Sequence, residues 1–447
     1  MRLKLADFFG RSANRESSAP RSVSRTASKT ISLCHNLLSE RGEASGTRLA
    51  AAILSSYQAL DGPGRDAFFD QLGKEFSPDP QAVGEAGNAY RQDPSPSNLA
   101  RLQRVVEPPR QELFRRLNMA PGGTRVLVEM RSHLLNEDGQ ESARAPIATD
   151  LGHLLASWFN RGFLVLQRID WRTSATILEK LIQYEAVHQV QGWQDLRRRL
   201  AADRRCYAFF HPALPEEPIM FVEAALTRGM SDKVQPLLDP DSPVANPEAA
   251  DTAVFYSITN CQKGLRGVPF GSFLIKQVVE DLSHEFPRIR RFATLSPVPG
   301  FRAWLSENLS ALERATKFLN LSSLVAKLED CKWFENASLS SQLQHCLVPL
   351  CTYYLLHAKR GKEPADPVAR FHLRNGARLE RINWLADTSK ASLERSAGLM
   401  ANYLYRRADL ARNHEFYTRD YKVMAAREIE TMAKQAVTAP LLSGQAI

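Results

Sequence analysis

The sequence predicts an α+β protein, in which an all-helical N-terminal bundle precedes an α/β domain. From about residue 30 to 160, apolar residues recur at three- and four-residue spacing, which is the periodicity of helices packed on one face. Beyond Gly162 the chain changes to short runs of β-branched and aromatic residues. One of these runs is followed by an amphipathic helix and then by a further strand, the order of a crossover between parallel strands.

The composition is that of an ordinary globular protein with a basic surface. Hydrophobic residues make up 44% of the 447 residues, charged residues make up 24%, and the net charge is +9. A basic chain favours an anionic partner, such as nucleic acid, an anionic membrane or a polyphosphate cofactor. The basic residues are scattered, which favours a solvated surface over a nucleic-acid groove. No apolar run approaches the ~20 residues that a membrane helix needs.

Residues 1–30 are rich in Arg and Ser and poor in acids, which predicts a disordered or leader segment. A mitochondrial transit peptide has the same composition as a disordered bacterial leader. We therefore expect a bacterial cytoplasmic protein, or a mitochondrial matrix protein if the segment is a transit peptide. The six cysteines form no CxxC pair, and we expect reduced, mostly buried thiols.

Residues 31–160 are predicted to form the helical bundle. The helical periodicity is clear in "LAAAILSSYQAL", "RQELFRRLNM" and "GTRVLVEMRSHLL", with breaks at "SPDP", "DPSPS" and "APGG". This segment has no evident catalytic cluster. Its expected role is to brace or oligomerise the rest of the chain.

Residues 161–447 are predicted to form the second domain. "CYAFFH" and "IMFVEAAL" are expected to pair as a hairpin, and "AVFYSI" is dense enough in apolar residues to be a buried strand. The helix after it presents one apolar face, and "RRFATLS" returns as a strand that should run parallel to "AVFYSI". Residues 303–360 and 391–435 are predicted to be helical.

Candidate functional residues follow the two strands that are predicted to be parallel. In open α/β sheets, ligands bind beyond the carboxyl ends of such strands. One strand leads into "TNCQKGLRGVPFGS", where Lys263, Arg266 and the amides before the helix could hold an anion. The other strand ends at Ser296 in a proline-stiffened turn, which should neighbour this loop. Neither GxxxxGK[ST] nor GxGxxG is present, so the glycine spacing leaves open a structural turn or an anion site.

His372 is a further candidate, in "FHLRNGA" before an Asn-Gly turn. In an extended interpretation of this stretch, its side chain points away from Phe371 and Leu373. Most such histidines are structural.

Several blocks together closely resemble the malonyl-CoA decarboxylase family. They are "FYSITNCQKGLRGVPFGSFLIKQVVEDL", "FATLSPVPGF", "FHLRNGARLERINWLAD" and "SAGLMANYLY". The resemblance implies a helical oligomerisation domain joined to a catalytic domain with the GNAT-like (N-acetyltransferase-type) fold. It also implies that Ser296 and His372 are catalytic. The residues that it implies for binding CoA or the substrate are Arg266, Gly267, Val268, Pro269, Phe270, Gly271, Ser272 and Tyr405. Animal members carry an acid at the position of Pro269, and no role for that acid transfers here.

The implied reaction converts malonyl-CoA to acetyl-CoA and CO₂ through a thioester enolate, without a metal or prosthetic group. Ser296 would orient the malonyl group, and His372, as imidazolium, would protonate the carbanionic carbon. Two alternatives remain at this level: a CoA-dependent acyltransferase of the same fold, and a non-catalytic acyl-CoA sensor. The expected partners are malonyl-CoA and further copies of the chain, with no nucleic acid and no membrane.

Overall fold

The structure, a computed structural model, describes residues 19–136, 144–268, 273–330 and 332–437. The chain divides into two compact units. The first comprises Met1–Asn160 together with Gln262–Pro269, and the second comprises Arg161–Cys261 and Phe270–Ile447. The predicted order, a helical N-terminal region followed by a mixed sheet region, is confirmed.

The described part of the first unit contains eight α-helices, as the periodicity predicts. Helix α1 begins at Ala19, inside the segment that we expected to be disordered or a leader. Residues 1–18 of that segment lie outside the described residues. The helices are α1 (Ala19–Ser39), α2 (Glu43–Gln58), α3 (Gly62–Glu75), α4 (Pro80–Gln92), α5 (Pro96–Val106), α6 (Pro109–Asn118), α7 (Gly123–Leu134) and α8 (Ala145–Trp158).

Three of these helices begin with a polar cap followed by proline. The side chains of Asp61, Asp79 and Ser95 accept hydrogen bonds from backbone N–H groups in the first turns of α3, α4 and α5. A capping oxygen satisfies an N–H that has no partner within the helix, and proline at the start loses no helical hydrogen bond. The corresponding Asp-Gly-Pro, Asp-Pro and Ser-Pro stretches punctuate the sequence, so the local chemistry sets these starts.

An apolar core holds the helical unit together. Tyr57, Phe68 and Phe69 are almost completely buried, and their rings contact one another edge to face at 5.4 to 5.9 Å between centroids. Truncating one such phenylalanine to alanine costs about 3–5 kcal/mol in a typical core. The unit therefore has a core of its own.

The second unit is built on one mixed sheet, which has eight strands among the described residues. The strands of the unit are β1 (Val165–Ile169), β2 (Arg204–Phe210), β3 (Met220–Thr227), β4 (Thr252–Asn260), β5 (Arg291–Thr294), β6 (Ser296–Pro297), β7 (Lys359–Arg360), β8 (Glu363–Pro364), β9 (Arg378–Asn383) and β10 (Met400–Leu404). The strand order in the large sheet is β1-β2-β3-β4-β5-β10-β6, and β9 also pairs with β10; β7 and β8 form a separate two-stranded ribbon.

Eleven α-helices accompany the sheet in the described residues of this unit. They are α9 (Ala175–Tyr184), α10 (Trp193–Arg199), α11 (Gln235–Leu238), α12 (Phe273–Glu285), α13 (Phe301–Ala315), α14 (Leu321–Ala326), α15 (Ala337–His357), α16 (Pro367–Arg374), α17 (Lys390–Ser396), α18 (Leu410–Asp420) and α19 (Arg427–Ala436).

The crossover predicted from the sequence is confirmed. Strands β4 and β5 pair in parallel, with Thr252 opposite Arg291 and Phe255 opposite Thr294, and α12 connects them. Strands β2 and β3 form the expected antiparallel hairpin. The carboxyl ends of β4 and β5 therefore lie at the same edge of the sheet.

The prediction that residues 391–435 are all helical is wrong. Residues 400–404 form β10, which is buried along its whole length and pairs with β5, β6 and β9. A strand buried on both faces shows no alternation of polar and apolar residues, and its Met, Ala and Leu residues are also good helix formers. Its periodicity therefore could not distinguish it from a helix.

The five cysteines among the described residues are free and buried, in agreement with the expected thiols. Cys331 lies outside those residues. Across the described chain, no helix combines the length and the apolar character needed to cross a membrane.

Candidate active site

A cavity of about 330 Å³ opens in the second unit, where the end of β4 and the β5–β6 segment meet α16. It contains both Ser296 and His372. None of the other described residues that line it is charged. The lining residues are Val187, Phe255, Tyr256, Ser257, Ile258, Asn260, Ser296, Pro297, Pro367, Val368, Phe371 and His372. A mainly apolar pocket with a few converging polar groups is the usual form of a small-molecule site.

Ser296 is held on β6 by the residue two positions before it. Its Oγ donates a hydrogen bond to Oγ1 of Thr294 at 2.9 Å. The same Thr294 oxygen accepts the backbone N–H of Tyr403, on the neighbouring strand β10, at 3.1 Å. Ser296 is buried, with 6% of its surface exposed. The hydroxyl is therefore fixed by the sheet and not by a flexible turn.

His372 lies in the last turn of helix α16, which corrects the extended interpretation of this stretch. Asp366 caps the helix by accepting the N–H groups of Val368 and Ala369, both at 2.9 Å, and Pro367 occupies the first turn. The helix ends before Gly376, whose positive φ of 79° suits a residue without a side chain. Asp-Pro at the start and Asn-Gly at the end were the helix signals in the sequence.

The fold brings Ser296 and His372 together, although 76 residues separate them. Oγ of Ser296 lies 2.9 Å from Nε2 of His372, and the Tyr405 hydroxyl lies 2.7 Å from Nδ1. Because the Ser296 hydroxyl donates to Thr294, its oxygen accepts from Nε2–H. A neutral ring carries one N–H, so Nδ1 accepts the hydroxyl proton of Tyr405.

Burial dominates the electrostatics of His372. It lowers the pKa of the imidazole to about 3, because the cation would lose its hydration. The ring is therefore neutral at neutral pH in the free protein. The Tyr403 ring stacks on it, with 4.6 Å between centroids and 25° between the planes. Stacking on one side and the hydrogen bonds at both nitrogens fix the orientation of the ring.

Tyr405 contacts His372 and is not among the residues that line the cavity. Its expected role in binding substrate or CoA remains a prediction. Thr294 and Tyr403 were missed from the sequence. Each lies two residues before a residue predicted for the site, Ser296 or Tyr405, and side chains at that spacing in an extended chain point to the same side. That spacing was the available signal.

The glycine loop follows β4 and includes a short 3₁₀ turn over Lys263–Leu265. The side chains of Lys263 and Arg266 are exposed, and Gly267 has a positive φ of 80°. Val268 is buried and packs as an apolar residue. The remaining expected CoA-binding residues, Pro269, Phe270, Gly271 and Ser272, lie outside the described residues. The expected proximity of this loop to Ser296 remains a prediction.

No group of three or more His, Cys, Asp or Glu side chains in the described residues could hold a metal ion. The expectation that the reaction needs no prosthetic group remains a prediction.

Family models match most of the chain. The model of the malonyl-CoA decarboxylase C-terminal domain matches residues 162–441, and that of the N-terminal domain matches residues 76–159. The mitochondrial malonyl-CoA decarboxylase of Anser anser anser is 33% identical over 429 residues, which are 89% of this chain and 85% of that relative. The mitochondrial enzyme of Mus musculus is 35% identical over 359 residues, 75% of this chain and 73% of its own.

Solved structures of malonyl-CoA decarboxylases are also similar to this chain. The malonyl-CoA decarboxylase of Rhodopseudomonas palustris is 47% identical and superposes with a TM-score of 0.86. That of Agrobacterium vitis is 45% identical, with a TM-score of 0.85. Each comparison covers 91% of this chain and 99% of the solved one.

Proposed function

This chain belongs to the malonyl-CoA decarboxylase family, and on that premise we propose that Ser296 and His372 act together on the malonyl group. The protein is a carboxy-lyase that converts malonyl-CoA to acetyl-CoA and CO₂. Decarboxylation thereby replaces the acyltransferase and sensor alternatives. The proposal that Ser296 and His372 act together rests on the 2.9 Å contact between their side chains in the cavity.

The reaction breaks one carbon–carbon bond and consumes one proton. The electron pair of the bond to the carboxylate moves to the α-carbon and is shared with the thioester oxygen, while CO₂ leaves. The resulting enolate then takes a proton at the α-carbon to give the acetyl group. The protein must therefore orient the carboxylate, stabilise the charge on the thioester oxygen and supply the proton.

Ser296 serves as the orienting group. Its hydroxyl is a donor that the sheet holds in one place, and in the free protein Thr294 accepts its proton. The hydroxyl can turn this donor toward an oxygen of the malonyl group, and its own oxygen accepts from His372 until the proton is transferred. A hydrogen-bond donor is all that this step needs, so no covalent intermediate is formed.

His372 supplies the proton after the substrate has entered. The ring is neutral in the free protein, because burial lowers its pKa to about 3. The malonyl carboxylate brings a negative charge into a cavity whose other described lining residues are uncharged. A nearby opposite charge favours the protonated ring and raises its pKa. His372 therefore takes up a proton with the substrate and donates it from Nε2 to the α-carbon.

Tyr405 supports both protonation states of the histidine. In the neutral state its hydroxyl donates to Nδ1, and in the imidazolium its oxygen accepts Nδ1–H at the same position. The hydroxyl contact thus keeps the ring oriented while its charge changes. Tyr405 acts as a positioning residue for His372.

The glycine loop serves as the binding site for the diphosphate of coenzyme A. Arg266 and Lys263 are exposed cations on this loop, and neither side chain forms a hydrogen bond or ion pair with any residue that the structure describes. Two unpaired cations next to a glycine with positive φ suit a polyphosphate. The assigned segment runs from Arg266 to Ser272, and coenzyme A enters as part of the substrate.

Residues 31–160 serve as an oligomerisation domain for a dimer or tetramer, and residues 161–447 serve as the catalytic domain. Helix α5 supports this assignment, because none of its residues is buried and its Leu99 and Val106 are 39% and 47% exposed. The enzyme works in the bacterial cytoplasm, in keeping with the bacterial origin of the solved relatives at 45% and 47% identity.

Two assays test the assignment of the serine and the histidine. Ser296→Ala and His372→Ala should each lower turnover of malonyl-CoA by at least about tenfold while the protein still folds. Wild-type enzyme in D₂O should also exchange the methyl protons of acetyl-CoA, because the acid of the forward step is the base of its reverse. His372→Ala should lose this exchange.

His414→Ala is a matched control, because this histidine is half-buried and its ring is hydrogen-bonded, among the described residues, only to the carbonyl of Arg374, at 2.6 Å. It should keep both activities. Near-normal turnover in both the Ser296 and the His372 variants would contradict the proposal, as would full methyl exchange in His372→Ala.

A further inference from the structure

Arg131 joins the glycine loop to the helices of the first unit by hydrogen bonds. Arg131, on α7, donates from Nη1 to the carbonyls of Gly264 and Arg266, at 2.6 and 2.9 Å. Its Nε donates to the carbonyl of Ala148, on α8, at 3.1 Å. One guanidinium thus joins the loop to two helices. Hydrogen bonds from a charged donor are stronger than those from a neutral one.

Two glycines make this contact possible. A Cβ on Gly264 would lie 2.0 Å from the carbonyl oxygen of Val128, so only glycine allows the loop to approach α7 this closely. A Cβ on Gly152, in α8, would lie 3.0 Å from Nη2 of Arg131, so its absence leaves room for the guanidinium. A glycine in the loop and a glycine in α8 therefore both leave the space that this contact needs.

The contact also sets the direction of a backbone amide. In a trans peptide the C=O and N–H point in opposite directions. Because the carbonyl of Arg266 points at Arg131, the N–H of Gly267 in the same peptide points away from it. That N–H makes no hydrogen bond with any residue in the described ranges. Among the described residues it is therefore a free donor.

Positive charge gathers around this peptide. Burial and, to a lesser extent, the nearby Arg266 guanidinium lower the pKa of Arg131, as expected for two cations that approach each other. Lys263 adds a third cation to the same short segment. An anion would relieve this repulsion.

We propose that Arg131 is a positioning residue for coenzyme A, which fixes the glycine loop so that Arg266 and the Gly267 amide meet the diphosphate. This inference rests on the proposed role of the loop in binding CoA. It gives the N-terminal helical domain a function in substrate affinity, in addition to oligomerisation. A substrate without the diphosphate should not depend on Arg131.

The test compares two substrates, malonyl-CoA and malonyl-pantetheine, which lacks the nucleotide and its phosphates. Arg131→Ala should raise the KM for malonyl-CoA by about tenfold and change kcat by less than about twofold, because a loop that is no longer fixed loses about one charged hydrogen bond to the diphosphate, which is of that order. The kinetics with malonyl-pantetheine should stay unchanged. Arg131→Lys keeps the charge but not the fork geometry, and should raise the KM by a smaller factor.

Arg116→Ala is the matched control, because Arg116 also donates from Nη1 to two carbonyls of the helical unit, those of Leu37 and Glu40. It should leave the KM for both substrates unchanged. Thermal unfolding of each variant separates loss of folding from loss of binding. If Arg131→Ala does not fold, Arg131→Lys decides the question.

Arg266→Ala distinguishes this inference from the proposed function. If Arg266→Ala, like the Arg131 variants, does not raise the KM for malonyl-CoA selectively, the proposal that the loop binds the diphosphate is wrong. If Arg266→Ala raises the KM for malonyl-CoA selectively while the folded Arg131 variants keep a normal KM, only the proposed role of Arg131 is wrong. An equal rise in KM for both substrates in the Arg131 variants would likewise overturn it.

Discussion

Replacement of Tyr405 by phenylalanine isolates one hydrogen bond of the active site. The hydroxyl lies 2.7 Å from Nδ1 of His372, and both side chains are 2% exposed. The substitution removes one oxygen and keeps the edge-to-face contact of the ring with Phe255, at 6.4 Å between centroids. It leaves a buried ring nitrogen without its partner.

The size of the effect follows from that loss. A buried polar group without a partner costs about 1–3 kcal/mol, and a charged group costs more. In the proposed mechanism the imidazolium forms with substrate present, and it depends on the hydroxyl oxygen more than the neutral ring does. The substitution therefore raises the activation free energy of the catalytic step. An increase of about 1–3 kcal/mol corresponds to a decrease in kcat of roughly 5- to 150-fold. KM should change little.

The pH dependence gives a second and more specific measurement. A general acid must be protonated, so kcat falls as the pH rises through the pKa of His372 in the substrate complex. Without the oxygen of Tyr405 as an acceptor, the imidazolium is less stable and that pKa is lower. In Tyr405→Phe the alkaline decline of kcat should therefore begin at lower pH. Initial rates of acetyl-CoA formation across a pH series measure both effects.

Tyr403→Phe is the control on the same strand. The Tyr403 hydroxyl makes no hydrogen bond with the described residues, and its ring keeps the stacking contact with His372. We expect kcat to stay within about twofold of the wild-type value. The reasoning would be refuted by a Tyr405→Phe enzyme with wild-type kcat and pH profile, or by equal losses in the two variants.

Three further predictions concern charge. Arg266→Ala should raise the KM for malonyl-CoA and spare kcat, and an effect on kcat alone would contradict its contact with the diphosphate. His372 is neutral when folded, with a pKa of about 3, but titrates near pH 6.5 when unfolded, so its stabilising contribution is present above pH 6.5 and is lost as the pH falls toward 3. Between pH 7 and 5, the wild-type free energy of unfolding should fall by about 2 kcal/mol more than that of His372→Gln in urea titrations, and equal losses would refute this. Binding of a non-decarboxylating malonyl-CoA analogue should take up about one proton in weakly buffered dye solution, and the same uptake by His372→Gln would exclude this histidine as its source.

Local sequence determined the elements whose signals are short-ranged. The helices of the N-terminal unit follow from apolar periodicity and from caps such as Asp61 and Asp79, which act within one turn. The pairing of β4 with β5 followed because a helix between two buried strands almost always returns the chain in parallel. The sequence also indicated Ser296 and His372, through their resemblance to the family.

The strand β10 and the helix α16 show where local reasoning failed. The strand is defined by partners far away in the chain, such as Ser296 opposite Ala401, and its own residues favour a helix equally well. Helix α16 did carry local helix signals, namely Asp366 before proline at its start and Asn-Gly at its end. These signals outweigh the extended interpretation, which rested on only three residues.

The composition, the helical segments, the βαβ crossover and the candidate pair Ser296 and His372 could therefore be predicted from the sequence itself. The 2.9 Å contact of Ser296 with His372, the hydroxyl of Tyr405 at Nδ1 and the neutral state of the ring were decided only by the tertiary structure. The reason is physical: a pKa and a hydrogen bond depend on burial and on distances between groups that are remote in the chain. Periodicity and spacing describe only neighbours along it.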